Sequence, residues 1–186
     1  NNLISILQHG YKHINHAEEN DKKTEFGSSR EINHMIKDIQ QGQNLIRNSF
    51  LFQYEPVFVP PWNRMTNLLF PYFEEIGIKC VSKINNDITK DFNNICNSTP
   101  MIINTNVDII NWKNKKTFLG EEEVIKKIIF DLQIRRERKV KNTPIGILTH
   151  HAVMENDSFV FLEKLISETI KYGGLWNSIK QIMNQL

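Results

Sequence analysis

Cysteine is nearly absent: Cys80 and Cys96 are the only two in the chain. Two thiols without metal-type spacing supply no disulfide framework, so the expectation is two separate reduced thiols. Long apolar runs are missing as well. No stretch approaches the roughly 20 residues that cross a bilayer, so no membrane-spanning helix is expected. Neither sign of charge is in excess, with Lys plus Arg at 23, Asp plus Glu at 21 and a net of +2. That balance gives no sign of a nucleic-acid partner. The local basic run from Arg135 to Lys141 reads as a solvated helix C-terminus, favoured by the helix dipole. No leader peptide is legible, the first residue is Asn1 rather than an initiator Met, and a cytoplasmic location is the expectation.

Hydrophobic residues make up 40% and charged residues 24% of the 186, ordinary globular usage, and the length fits a single domain over residues 1–186. What stands out is the placement of histidine. His9, His13 and His16 fall in one short run, and His150 and His151 end an apolar segment far downstream; only His34 lies elsewhere. Imidazole is the commonest metal ligand and the side chain best matched to proton transfer near neutral pH. Two clusters, each just after an apolar segment, read as two halves of one metal-dependent site.

Periodicity places the elements. Leu3–Leu7 reads as a buried strand, and residues 18–29 as a polar loop. Ile32, Met35, Ile36, Ile39, Leu45 and Ile46 recur at helical spacing and predict a helix over about 30–48. Strands are expected over residues 56–61, 78–82, 100–105 and 144–149. Residues 85–98 read as irregular. Helices are expected over 68–75 and after Gly120, the latter with Val124, Ile125, Ile128, Ile129 and Leu132 on its inner face. Further helices are expected over 158–172, with Phe161, Leu162, Leu165 and Ile166 inward, and over about 176–184. Alternating strands and helices predict an α/β protein with a mainly parallel sheet, whose site lies at the carboxyl ends of the strands.

His9 and His13 are spaced i, i+4. On a helical turn this would put both rings on one face, suited to two ligands of one Zn²⁺. A paired surface or core histidine is the rival reading. His16 reads as a third ligand, as a group that supports the ligands, or as simply exposed, the last two being favoured. His150 ends a strand, where a side chain projects into an active-site mouth; its rival reading is a partly buried histidine on a backbone carbonyl. Pro60-Pro61-Trp62-Asn63-Arg64 is either a structural turn or a rigid pocket wall with a backbone N–H aimed at an oxyanion. Asp108 and Trp112 offer a carboxylate and an aromatic plane for a sugar, although Trp112 fits a core equally well.

Three runs occur in order: His9-Gly10-Tyr11-Lys12-His13-Ile14-Asn15-His16, Pro60-Pro61-Trp62-Asn63-Arg64 and Leu148-Thr149-His150-His151. Together they resemble the polysaccharide deacetylases with the NodB-homology fold (carbohydrate esterase family 4), and more closely a deacetylase-like subgroup with these same runs. The resemblance covers nearly the whole chain. It implies a distorted (β/α)7 barrel and metal-dependent removal of acetyl groups from sugars, usually with zinc. By that resemblance His9 and His13 are the metal ligands, and His150 is the catalytic acid. Trp62 offers its backbone N–H to the oxyanion, and Asp108, Asn111 and Trp112 match a late Asp-x-x-Asp-Trp-like motif. Pro61, Arg64, Asp108 and Trp112 would line the substrate groove. Val59 stands where many members have an Arg, and Asn111 where many have its Asp partner. The family's Asp-Asp run, expected before the histidine pair, has no counterpart in the chain, so a barrel without its first strand or strands is expected. Enzymatic activity would depend on that run. The alternatives are a non-catalytic glycan-binding protein and a metal-dependent amidohydrolase acting on a non-sugar amide.

Overall fold

The computed structural model describes residues 4–84, 100–113, 116–139 and 144–185. The chain divides into two compact units. Among the described residues the first takes 4–83, 100–103 and 178–185, and the second takes 84, 104–113, 116–139 and 144–177. The stretch expected to be irregular, 85–98, and Cys96 within it lie outside the described residues.

The first unit is built on a parallel sheet of four strands in the order β1-β2-β3-β4. They are β1 (Ile6–His9), β2 (Tyr54–Val59), β3 (Cys80–Val81) and β4 (Met101–Ile102). Each falls within or beside a segment expected to be a strand. The register of β1 on β2 pairs Gln8 with Phe58 and His9 with Val59. Helix α1 (Ile32–Phe50) covers the sheet, and its Met35 and Ile39 are fully buried in a cluster with Phe26, Phe58, Leu69, Phe73, Ile76, Ile78 and Val81. Leu45, expected inward, is 62% exposed. It sits about 120° round the helix from Ile39, off the stripe that Met35, Ile39, Gly42 and Gln43 bury.

The expected helix over 68–75 is shorter than its pattern suggested. A 3-10 turn at Asn67–Leu69 leads into α2, only Phe70–Phe73, and the chain turns back through Gly77 at φ 76°. A second cluster of Val57, Cys80 and Ile103 is covered by Ile179, Ile182 and Met183, all three from α5 (Ile179–Gln185). Thus α5 packs on the first unit although it is last in sequence.

The second unit contains a parallel pair, β5 (Val107–Asp108) with β8 (Ile147–Leu148), and an antiparallel pair, β6 (Ile110–Asn111) with β7 (Thr117–Phe118). Helices α3 (Glu121–Glu137) and α4 (Asn156–Lys171) bury Val124 and Phe161 against Val107, Ile109 and Ile110. Two expectations for α3 are corrected: Ile129 and Leu132 are 48% and 50% exposed. The buried line runs through Val124 and Asp131, and those two side chains lie about 150° and about 90° away from it. Likewise Ile166 of α4 is 37% exposed, whereas Leu162 and Leu165 pack inward. Asp131 is buried on α3 because Arg135, one turn on, forms an ion pair with it. Arg135 therefore serves within the helix rather than as part of a wholly solvated basic end. No helix among the described residues is long and apolar enough to cross a membrane.

Candidate functional site

Two groups of side chains sit at carboxyl ends of strands, one in each unit. The first begins at His9, the last residue of β1. Its parallel register with Val59 brings the ring to that residue's carbonyl, and Nδ1–H donates to Val59 O at 3.0 Å. This bond assigns the tautomer and leaves Nε2 with a free lone pair, the arrangement usual in metal-ligating histidines. His9 keeps a solvent-facing edge, yet its neighbours crowd the ring. That desolvation lowers its pKa below the ordinary 6.5; the bond to Val59 and the Glu25 charge oppose the shift, and the nearby His13 adds to it. The neutral imidazole therefore persists to lower pH than usual.

His13 comes to His9 by a route the i, i+4 spacing did not foretell. Residues 10–15 form no helical turn. Gly10 stands at φ 67° and His13 at φ 56°, so the chain coils tightly between them. The coil closes on Glu25, which is 1% exposed. Its Oε1 accepts the amide N–H of Lys12 at 2.7 Å and of His13 at 3.1 Å, and its Oε2 accepts that of Tyr11 at 3.2 Å. Consecutive amides gathered on one anion form a nest, which takes the place of helical hydrogen bonding. Gly10 is needed at the rim, because a Cβ there would overlap both Glu25 Oε2 and the Pro61 ring.

The outcome is a His9–His13 ring separation of 5.2 Å, with His13 tilted against Trp62 at 4.3 Å. Imidazole nitrogens about 2.0–2.1 Å from zinc, at a tetrahedral angle, put ring centroids about 5 Å apart, so the pair suits two corners of such an ion. Among the described residues no group of three or more His, Cys, Asp or Glu side chains is placed to hold a metal ion. Glu25 is not a third ligand, since its oxygens are taken by the nest.

Pro60 and Pro61 follow β2 directly, and Pro61 is buried against Gly10. Trp62 and Asn63 then adopt φ 54° and 57°, uncommon for residues with a side chain. The Trp62 N–H has no partner among the described residues. Arg64 is exposed and donates from Nη1 to Lys23 O at 3.2 Å, while its own carbonyl accepts the Thr24 hydroxyl at 3.0 Å. Both contacts tie the Pro-Pro-Trp turn to the 18–29 loop. His16 is exposed; its backbone N–H donates to Thr24 O at 2.9 Å.

The second group lies in the other unit. Asp108 ends β5, and His150 follows β8, its parallel partner. Asp108 Oδ2 accepts the Trp112 indole N–H at 2.8 Å and stands 3.2 Å from His150 Nε2, while Oδ1 accepts the Ile110 amide at 2.9 Å. Trp112 meets His150 edge to face at 4.7 Å. The carboxylate thus holds both rings. Asn111 caps the following turn, its Oδ1 accepting the Lys113 amide at 3.2 Å. His151 is exposed. A cavity of about 460 Å³ in this unit is lined by Ile125, Phe161, Leu165 and Tyr172 and includes none of these polar residues.

Glu25 and Gln8 escaped the sequence reading. Gln8 is fully buried, and its Nε2 donates to Gly10 O at 3.1 Å and Ile39 O at 3.0 Å, joining β1, the histidine coil and α1. The available signals were weak ones: a carboxylate beside Phe26 in an otherwise polar loop, and an amide inside an apolar strand. No protein-family model, no curated protein and no solved structure matches this chain.

Proposed function

We propose that this protein is a metal-dependent hydrolase that removes acetyl groups from a sugar or polysaccharide, on a fold of the distorted (β/α)7 type. The observation that carries the reading is the state of the histidine pair. His9 commits Nδ1 to a carbonyl, has no partner for Nε2 among the described residues, and its ring stands 5.2 Å from that of His13. His9 and His13 would hold a divalent cation, zinc by preference of the donor set. When bound, such an ion supplies Lewis acidity and acidifies water.

The chain's own residues supply the remaining roles. The Trp62 N–H, without a partner among the described residues, would be a donor for developing negative charge on an acyl oxygen. His150, held through Nε2 by Asp108, presents Nδ1 for proton donation to a leaving amine or alkoxide. Trp112, 48% exposed, offers a plane against which a sugar ring packs. By the same resemblance Arg64 and Pro61 would meet substrate beside the histidine pair. In this reading Asp108 positions His150 in addition to any contact with substrate.

The test is zinc analysis together with acetate release from N- and O-acetylated sugars by the full-length protein, since turnover would depend on an Asp-Asp run that residues 1–186 lack. The reading predicts bound zinc that is lost in His9→Ala and His13→Ala, with acetate formed by the loaded protein. Glycan binding without acetate from a zinc-loaded protein would replace it with a non-catalytic binding protein. Release from non-sugar amides alone would replace it with an amidohydrolase.

A further inference from the structure

Glu25 has no place in the chemistry above, yet it is buried at the centre of the histidine coil. Its two oxygens accept three amide N–H groups from consecutive residues, one of them His13 itself. Those residues lie in an exposed stretch, where amides ordinarily bond to water. Its own backbone is fixed as well: its carbonyl accepts Arg30 Nη1–H at 3.0 Å, and Arg30 is in turn paired with Asp38 of α1 at 2.7 Å. The carboxylate is therefore anchored to a helix on one side and grips the coil on the other. Its neighbour Phe26 is fully buried in the main core cluster and donates nothing to the coil, so Glu25 reaches outward from the core to organise a surface loop.

We propose that Glu25 is a positioning residue: by accepting the Tyr11, Lys12 and His13 amides it sets the geometry in which His9 and His13 face a common cation. The part about the cation rests on the function proposed above; the part about the coil does not. Without the nest, His13 has no reason to keep φ at 56°, a conformation that costs about 1–2 kcal/mol for a residue with a side chain. The coil then relaxes, and the 5.2 Å ring separation is no longer imposed. Outer residues that orient metal ligands typically matter 10–100-fold for affinity, so a loss of about that size is expected.

Amide exchange and Co²⁺ titration of the full chain and two variants test this. In the unsubstituted protein the Tyr11, Lys12 and His13 amides exchange slowly for a solvent-exposed loop. In Glu25→Gln the amide oxygen replaces Oε1, but the NH₂ group faces the Tyr11 N–H. Tyr11 exchange therefore quickens about tenfold or more, while Lys12 and His13 keep part of their protection. In Glu25→Ala all three quicken. Co²⁺ binds about 10–100-fold more weakly to Glu25→Ala, with Glu25→Gln between, and the d–d absorption bands change with the altered ligand geometry. Unchanged exchange in a folded Glu25→Ala, or an unchanged Co²⁺ affinity and spectrum, overturns the proposal. Should Glu25→Ala fail to fold, fast Lys12 exchange in the unsubstituted protein overturns it alone. Absence of any Co²⁺ binding by the unsubstituted protein rejects the cation reading and with it the metal half, while the exchange data still decide the coil.

Discussion

His150 Nε2 lies 3.2 Å from Asp108 Oδ2, although 42 positions separate the two residues. The pairing of β5 with β8 makes this contact, since Val107 and Asp108 register against Ile147 and Leu148. The same oxygen accepts the Trp112 indole, so an imidazole and an indole share one anchor.

For a proton donor, that anchor fixes which nitrogen works. If the full-length protein is the deacetylase proposed above, His150→Ala is expected to lower its acetate release by about 10²–10⁴-fold with zinc content unchanged. Asp108→Asn can keep an oxygen for both rings only by turning its NH₂ group to the Ile110 amide, and should give a smaller loss. A His150→Ala protein that sheds its zinc but keeps its rate would reassign this residue from proton donor to ligand.

Gly42 interrupts α1, where alanine would ordinarily be better by about 0.5–1 kcal/mol. A Cβ there would stand 2.5 Å from Gln8 Nε2, the group that bonds both Gly10 and Ile39. Gly42→Ala is therefore expected to destabilise by about 1–3 kcal/mol in urea unfolding. In a Gln8→Ala background the obstacle is gone, and the same substitution should be neutral or stabilising. Simple additivity of the two changes would contradict this coupling.

Burial pushes the Cys80 thiol from the ordinary 9.0 up to about 12, against a smaller opposing bond from the Ile103 backbone. The neutral form is the one the fold keeps. Below pH 9 both folded and unfolded chains hold the proton, and the group is silent. Between pH 9.0 and about 12 only the unfolded chain releases it, so stability falls as pH rises, by up to about 1.4 kcal/mol per unit. Denaturation midpoints of Cys80→Ala should decline less steeply than those of the unsubstituted chain across this range. Equal slopes would mean that the thiol ionises as freely folded as unfolded.

The long periodic elements were legible in the sequence because period and length reinforce each other. Thus α1, α3 and α4 fall within a few residues of expectation. Strands β5, β6 and β7 have two residues each, too few for any alternation to register. Within the helices, apolar residues such as Leu45, Ile129 and Leu132 point to water because the buried stripes are narrow and partly polar, running through Gln43 and Asp131. The histidine pair was visible by residue type and spacing, but its geometry was not. A helical turn is the local solution for i, i+4; Glu25, twelve positions beyond His13, imposes a non-local one.

That dependence limits how the histidine segment could be reused. A protein engineer who transplanted residues 9–13 alone onto another scaffold would carry the imidazoles without the clasp that shapes them. The portable unit is discontinuous: it needs the acid from the following loop, a glycine second in the segment and a proline from a neighbouring strand end.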